Sequence, residues 1–99
     1  MSDQTLRVIA RVRARPGCEG ALRALFLASL AATRAEPGCL GYTMLQNRRD
    51  EAELSFLEEW QNDAAFKLHF SLPHMQALAA RLGELAEGPP DVRKYQQVD

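Results

Sequence analysis

The chain opens on an alternation. Leu6, Val8, Ala10, Val12 and Ala14 fall on one face, with Arg7, Ile9, Arg11, Arg13 and Arg15 on the other, the two-residue period of a strand with one side toward a core. Pro16-Gly17 breaks it. Leu22, Leu25, Phe26, Ser29, Leu30 and Thr33 then recur at helical spacing and predict a first helix over residues 18–36, stopped by Pro37, which lacks an N–H and clashes with the preceding turn. CLGYTMLQN from Cys39 and ELSFLEEW from Glu53 read as the second and third strands, with NRRDEA as the hairpin loop. Alternation puts Leu54, Phe56, Glu58 and Trp60 on one face of the third strand and Ser55, Leu57 and Glu59 on the other. Glu58 thus points where the apolar side chains point. Leu40, Tyr42 and Met44 share a face of the second strand, which aims the Tyr42 hydroxyl into the same layer.

Asn62 suits the cap of a short helix running to about Phe70. Ser71, with Leu72 and Pro73 in a first turn, starts another, on which Leu72, Met75, Leu78, Leu82 and Leu85 form a stripe that Gly88-Pro89-Pro90 ends. VRKYQQV, carrying Val92, Tyr95 and Val98, reads as a last strand at an edge or a partner contact. The order β-α-β-β-α-β is the split βαβ of ferredoxin-like folds, an α+β architecture with an antiparallel sheet and the helices on one face. Its first and third strands are central neighbours, which sets Arg11 and Arg13 near Glu59 on the uncovered face. That face also carries Ile9 and Leu57 and suits a two-fold partner, so a homodimer joined through the sheets is expected.

Composition narrows the function. A chain of 99 residues fits one domain spanning 1–99, and a domain that size buries roughly 65% of its unfolded surface, leaving room for one modest core. A net charge of −1 with 46% hydrophobic residues describes an ordinary globular protein. No apolar run approaches the ~20 residues of a membrane span, so no membrane partner is expected. The start, MSDQTLRV, lacks the pattern of a secretory leader, which leads to a cytoplasmic expectation. Residues 1–49 hold eight Arg against three acidic residues, and residues 50–99 hold four basic against ten acidic ones. The halves should attract each other. The Arg side chains are spread through strand and helix patterns without interleaved aromatics, so no nucleic-acid partner is expected. Cys18 and Cys39 have neither a metal-like spacing nor an adjacent His, and read as free structural thiols.

Chemistry concentrates in EEWQNDAAFKLHFSLPHM, residues 59–76, which hold the only Trp and both His. No glycine-rich phosphate loop, GxSxG elbow or HExxH pair is present. Glu58 points into the layer occupied by the second helical region, and an unpaired carboxylate there costs several kcal/mol. His69 and His74 are its nearest partners in sequence, and an imidazole oriented by a carboxylate is the arrangement of a general base. A purely structural network of the same residues is the competing reading. His74 lies at a helix start, where the dipole lowers an imidazole pKa, and His69 at a helix end, where the opposite shift is expected, which favours His74 as the neutral base. Five residues and a Pro separate the two His, so a shared metal is not expected. Trp60 and Phe56 can form an aromatic wall or ordinary core, and Tyr42 needs a hydroxyl partner from substrate or protein.

A family pattern joins these pieces. Val8-Ile9-Ala10 to Arg15-Pro16-Gly17, Glu36-Pro37-Gly38-Cys39-Leu40-Gly41-Tyr42, and Glu58-Glu59-Trp60 through His69 to Pro73-His74-Met75 together resemble the antibiotic biosynthesis monooxygenase domain family, most closely its small members named as quinol monooxygenases. The resemblance covers roughly residues 6–80. It implies a dimeric α+β barrel that oxidises a small aromatic substrate, a quinol or an anthrone-like phenol, with O2 and no cofactor. On that pattern His69 or His74 is the base, Glu58 orients it, and Trp60, Phe56 and Tyr42 hold the ring. Two relatives of the superfamily compete. Haem-degrading members use Asn, Trp and His, and no Asn occurs in the first strand here. The isomerase of phosphorylated autoinducer-2 has a similar His to Pro-His segment, with Arg81, Arg93 and Lys94 as phosphate candidates. A non-catalytic module that sequesters a small aromatic metabolite is the third class.

Overall fold

The opening alternation becomes β1 (Leu6–Arg13) in a computed structural model of the chain, which describes residues 4–99. Residues 1–3, part of the expected 1–99 domain and of the MSDQTLRV start, lie outside the described residues. After β1 come α1 (Glu19–Arg34), β2 (Cys39–Asn47), β3 (Asp50–Trp60), α2 (Asp63–His69), α3 (Pro73–Leu85) and β4 (Asp91–Tyr95). The sheet order is β2-β3-β1-β4, antiparallel throughout, with β1 and β3 central as expected of a ferredoxin-like α+β fold.

Register explains the core. Val8 faces Glu58, Ala10 faces Phe56 and Val12 faces Leu54, so one sheet face is a continuous apolar surface apart from one carboxylate. Leu22 and Phe26 of α1 and Leu78 and Leu85 of α3 are buried in the same core. Each large side chain buried this way contributes ~1.5–3 kcal/mol.

The register also corrects three expectations. Glu59 pairs with Arg7, not with Arg11 or Arg13: Arg7 is its cross-strand partner, with 4.0 Å between Nε and Oε1. Arg11 faces Ser55, and Arg13 reaches Asp50 at 2.7 Å and Glu87 at 3.5 Å. A bulge places Cys39 opposite Trp60 and Gly41 opposite Glu59, leaving Leu40 over; Leu40 is 57% exposed while Tyr42 is 8%. The hairpin turn is also tighter than NRRDEA suggests. The Asn47 amide oxygen accepts the Arg49 N–H at 2.9 Å and the Asp50 carboxylate accepts the Ala52 N–H at 3.1 Å, so β3 begins at Asp50 and only Arg48 and Arg49 turn.

β4 is an exposed edge on β1 and ends at Tyr95, short of Val98. The chain docks against the end of β1 before Gly88, since Ala86 bridges Ala14 and the Glu87 N–H donates to the Arg13 carbonyl at 2.7 Å. Among the described residues no helix is long and apolar enough to cross a membrane.

Candidate active site

The buried stripe of α1 runs Leu22, Phe26, Ser29, Thr33, and the same spacing leads on to Glu36, just past the helix end. A carboxylate therefore occupies a core position. The turn that follows is held tightly: Gly38 has φ +88°, a Cβ there would lie 2.7 Å from the Ala65 Cβ, and the Gln61 N–H donates to the Gly38 carbonyl at 2.7 Å. The α1–β2 connection is thus pressed onto the start of α2.

Two further turns bring in the imidazoles. Asn62 caps α2 by accepting the Ala65 N–H at 2.8 Å, and His69 lies in the last turn of that helix, 2% exposed. Pro73 occupies the first turn of α3, where its missing N–H costs nothing, and is followed directly by His74. Ser71 donates its hydroxyl to the Leu68 carbonyl at 2.7 Å rather than capping α3. The three side chains meet at one atom. His69 Nδ1 lies 2.6 Å and His74 Nε2 2.7 Å from the same oxygen, Glu36 Oε2. A carboxylate only accepts, so both rings donate to it through those nitrogens. His74 is the outer member, its side chain 21% exposed.

The expected partner of the imidazoles was Glu58, but its carboxylate bonds a different side chain. Glu58 Oε1 accepts the Trp60 indole N–H at 2.9 Å, a bond between neighbours on one strand face. Burial pushes the Glu58 carboxyl up to about 7, the indole bond pulling it down a little and the Glu36 charge pushing it up. His69 also departs from expectation. Burial lowers its pKa, outweighing the opposing hydrogen bond and charge of Glu36, whereas a helix end alone would raise it.

Beside His69 lies an apolar cavity of about 310 Å³, lined among others by Tyr42, Phe56, Glu58, Phe66 and Val92. His69 is on its wall with Nδ1 committed to Glu36, so Nε2 is the nitrogen left for a ligand. His74 is not on that wall. Neither is Trp60, which is completely buried, its ring centroid 4.7 Å from that of His69. Tyr42 lies 6.0 Å from His69 by ring centroids, and its hydroxyl makes no hydrogen bond among the described residues; burial raises its pKa. The site therefore unites His69, Glu58, Tyr42 and Phe56 around one cavity, leaves Trp60 and His74 out of its lining, and adds Glu36. The stripe from Leu22 to Thr33 was the signal for Glu36.

Three donor atoms, Glu36 Oε2, His69 Nδ1 and His74 Nε2, lie within 4.8 Å of one another and are of types that hold a metal ion. The phosphate candidates do not converge on the cavity. Arg93 pairs with Asp91 at 3.2 Å, Lys94 pairs with Asp63 at 3.1 Å, Arg81 is exposed on α3, and none of them lines it. Burial raises the Cys39 thiol pKa, which lowers its thiolate content and disfavours a nucleophilic role.

The profile of one family, described as "Antibiotic biosynthesis monooxygenase", matches residues 5–81. The chain is 37% identical over 92 residues to a Mycobacterium tuberculosis protein named "Putative monooxygenase Rv0793", covering 93% of this chain and 90% of that one. The crystal structure of Rv0793 superposes with a TM-score of 0.88 at 35% identity, covering 96% of each chain. That of PA3566 from Pseudomonas aeruginosa superposes with a TM-score of 0.92 at 29% identity, covering 97% of this chain and 96% of that one. Sequence profile, relative and fold agree: this chain belongs to the antibiotic biosynthesis monooxygenase family.

Proposed function

We propose that this protein is a cofactor-independent monooxygenase that oxidises a small phenolic aromatic, a quinol or an anthrone-like compound, with O2, using His69 as the proton acceptor. The observation that carries the reading is the 2.6 Å bond between His69 Nδ1 and Glu36 on a ring that also walls an apolar cavity. The bond fixes the tautomer with the proton on Nδ1 and the lone pair on Nε2, the state a general base needs. His69 and Glu36 thus take the roles the sequence pattern divided between His74, His69 and Glu58.

The electrons balance without an external reductant. His69 Nε2 takes a proton from the acidic C–H or O–H; the resulting anion gives one electron to O2, and the radical pair combines to a peroxide. From an anthrone-like methylene the peroxide then loses water as the carbonyl forms. The substrate gives up four electrons, and the two oxygen atoms end in product and in water. A simple hydroquinone gives up two, producing quinone and hydrogen peroxide, an oxidase outcome of the same base chemistry in which no oxygen atom enters the product. Glu58, with a carboxyl holding its proton up to about pH 7, is the acid on the same wall that can protonate the departing oxygen. Tyr42 and Phe56 flank the ring, and the dry wall favours electron transfer from an anion that water would otherwise stabilise.

A homodimer through the uncovered sheet face belongs to this reading. Ile9 and Leu57 are cross-strand partners there, and Leu57 is 44% exposed. Metal-depleted protein incubated with isotopically labelled O2 and a panel of anthrones and hydroquinones is the test. Uptake above the buffer rate, with one labelled atom in an anthrone product, is expected. Saturable binding of the panel with no uptake by any member would instead make the chain a sequestering module.

A further inference from the structure

We propose that Glu36, His69 and His74 form a binding site for a divalent transition-metal ion of the Zn2+ class, and that the bound ion silences His69 as a proton acceptor. Two imidazole nitrogens and one carboxylate oxygen are borderline donors suited to Zn2+, Co2+, Ni2+ or Fe2+, whereas Mg2+ and Ca2+ prefer oxygen throughout. The donors come from three separate segments: the α1–β2 connection, the end of α2 and the start of α3. Folding, not sequence spacing, creates the set, which is why two His five residues apart and split by Pro73 give no metal signal on their own.

The geometry is close to a coordination shell. All three donor atoms lie within 4.8 Å of one another, and the two nitrogens are 2.6 and 2.7 Å from the oxygen. Around an ion with bonds of ~2.0–2.2 Å, neighbouring donors stand about 3.0–3.5 Å apart. The nitrogens must therefore approach each other while the oxygen backs away slightly. His74 supplies that adjustment, because it is the partly exposed member and sits at the beginning of a helix; it is also the side from which an ion arrives. Charge favours the exchange. The two imidazoles are the only ion-pair or hydrogen-bond partners of the buried Glu36 side chain among the described residues, and no Lys or Arg contacts it. A divalent ion supplies the positive charge that this carboxylate lacks.

Silencing follows from imidazole chemistry. An ion on Nδ1 requires the lone pair there, so the single proton of the neutral ring moves to Nε2. The nitrogen left for the cavity becomes a donor and can no longer accept a proton. This half of the inference rests on the proposed role of His69; the binding half does not.

Metal-free protein titrated with Co2+ and with Zn2+ tests both halves, using Co2+ visible absorption and calorimetry. One ion per chain is expected, with binding at least tenfold weaker in Glu36→Gln and His74→Ala variants that keep the parental circular dichroism. Saturating Zn2+ should then lower O2 uptake at least tenfold, with recovery on adding EDTA. Absence of Co2+ bands, or equal affinity in the parent and both folded variants, overturns the site. Binding that leaves uptake unchanged overturns the silencing. Should uptake instead require the ion, the site stands and both the silencing and the cofactor-free reading fall.

Discussion

Glu36 and Glu58 are both buried carboxylates, yet the chain surrounds them differently. Glu36 sits where the α1–β2 connection, α2 and α3 converge, and receives two imidazoles on one oxygen. Glu58 lies inside the sheet, where its cross-strand neighbours are Val8 and Tyr42 and its one hydrogen-bond donor among the described residues is the Trp60 indole. Groups that can take up positive charge make the first an orienting acceptor. Burial without a cationic partner, together with the Glu36 charge, makes the second a carboxylic acid that holds its proton up to about pH 7. The contrast shows that burial alone does not assign a role to a carboxylate; the charge capacity of what faces it does.

The contrast is broken most severely through the Glu36 pair. His69→Ala is expected to lower turnover by ~10²–10⁴-fold, the usual contribution of a positioned base, measured as initial O2 uptake on protein with unchanged circular dichroism. Glu36→Gln keeps the shape but weakens the acceptor for two imidazoles. It should lower kcat about 10- to 100-fold while leaving KM within a few-fold, because it acts through His69 rather than on substrate.

Glu58 should respond in the opposite sense, through stability. Its native pKa of about 7 exceeds the ~4.3 of an unfolded-chain Glu. Between those values the native state binds the proton that the unfolded chain has released, so stability falls as pH rises through that window. Glu58→Gln removes this loss. The variant should be more stable than its parent by roughly 1–3 kcal/mol at pH 8 and equal to it near pH 4, by urea denaturation at both pH values. Trp60→Phe takes away the indole donor to Glu58 and should push its carboxyl midpoint above 7 by NMR titration, at a cost of about 1 kcal/mol in stability for the lost bond. The smallest effect belongs to an exposed carboxylate used as control. Glu59→Ala, which loses a 4.0 Å contact to Arg7, should change stability by no more than ~0.5 kcal/mol.

What the sequence revealed followed from spacing. The alternation of Leu6 to Ala14, the stripe from Leu22 to Thr33 and the Asn62 cap each have a local cause, and they suffice for the ferredoxin-like order. Glu36 was legible in principle, three residues beyond Thr33, but Pro37 made it look like a helix end rather than the last residue of a buried face. The Leu40 bulge inserts a residue between Cys39 and Gly41, which no alternation announces. The partner of Glu59 depended on register, and register depends on how the strands slide, so Arg11 and Arg13 were expected beside Glu59 where the pairing places Arg7. Glu58 stands on the same wall as His69, but its bond to Trp60 is made two residues away along its own strand, a nearer solution than either imidazole. The His69 shift is a contest between burial and the Glu36 carboxylate, and the packed aromatic surroundings that bury the ring exist only in the fold.

The central claim is that His69, held by Glu36, takes the substrate proton. Its most direct test is O2 uptake with an anthrone or hydroquinone, comparing metal-depleted parent, His69→Ala and His74→Ala proteins shown to be folded and of one oligomeric state. The account predicts uptake by the parent, its loss to the buffer rate in His69→Ala, and a smaller reduction in His74→Ala, since His74 does not line the cavity. Unchanged uptake in folded His69→Ala would contradict it.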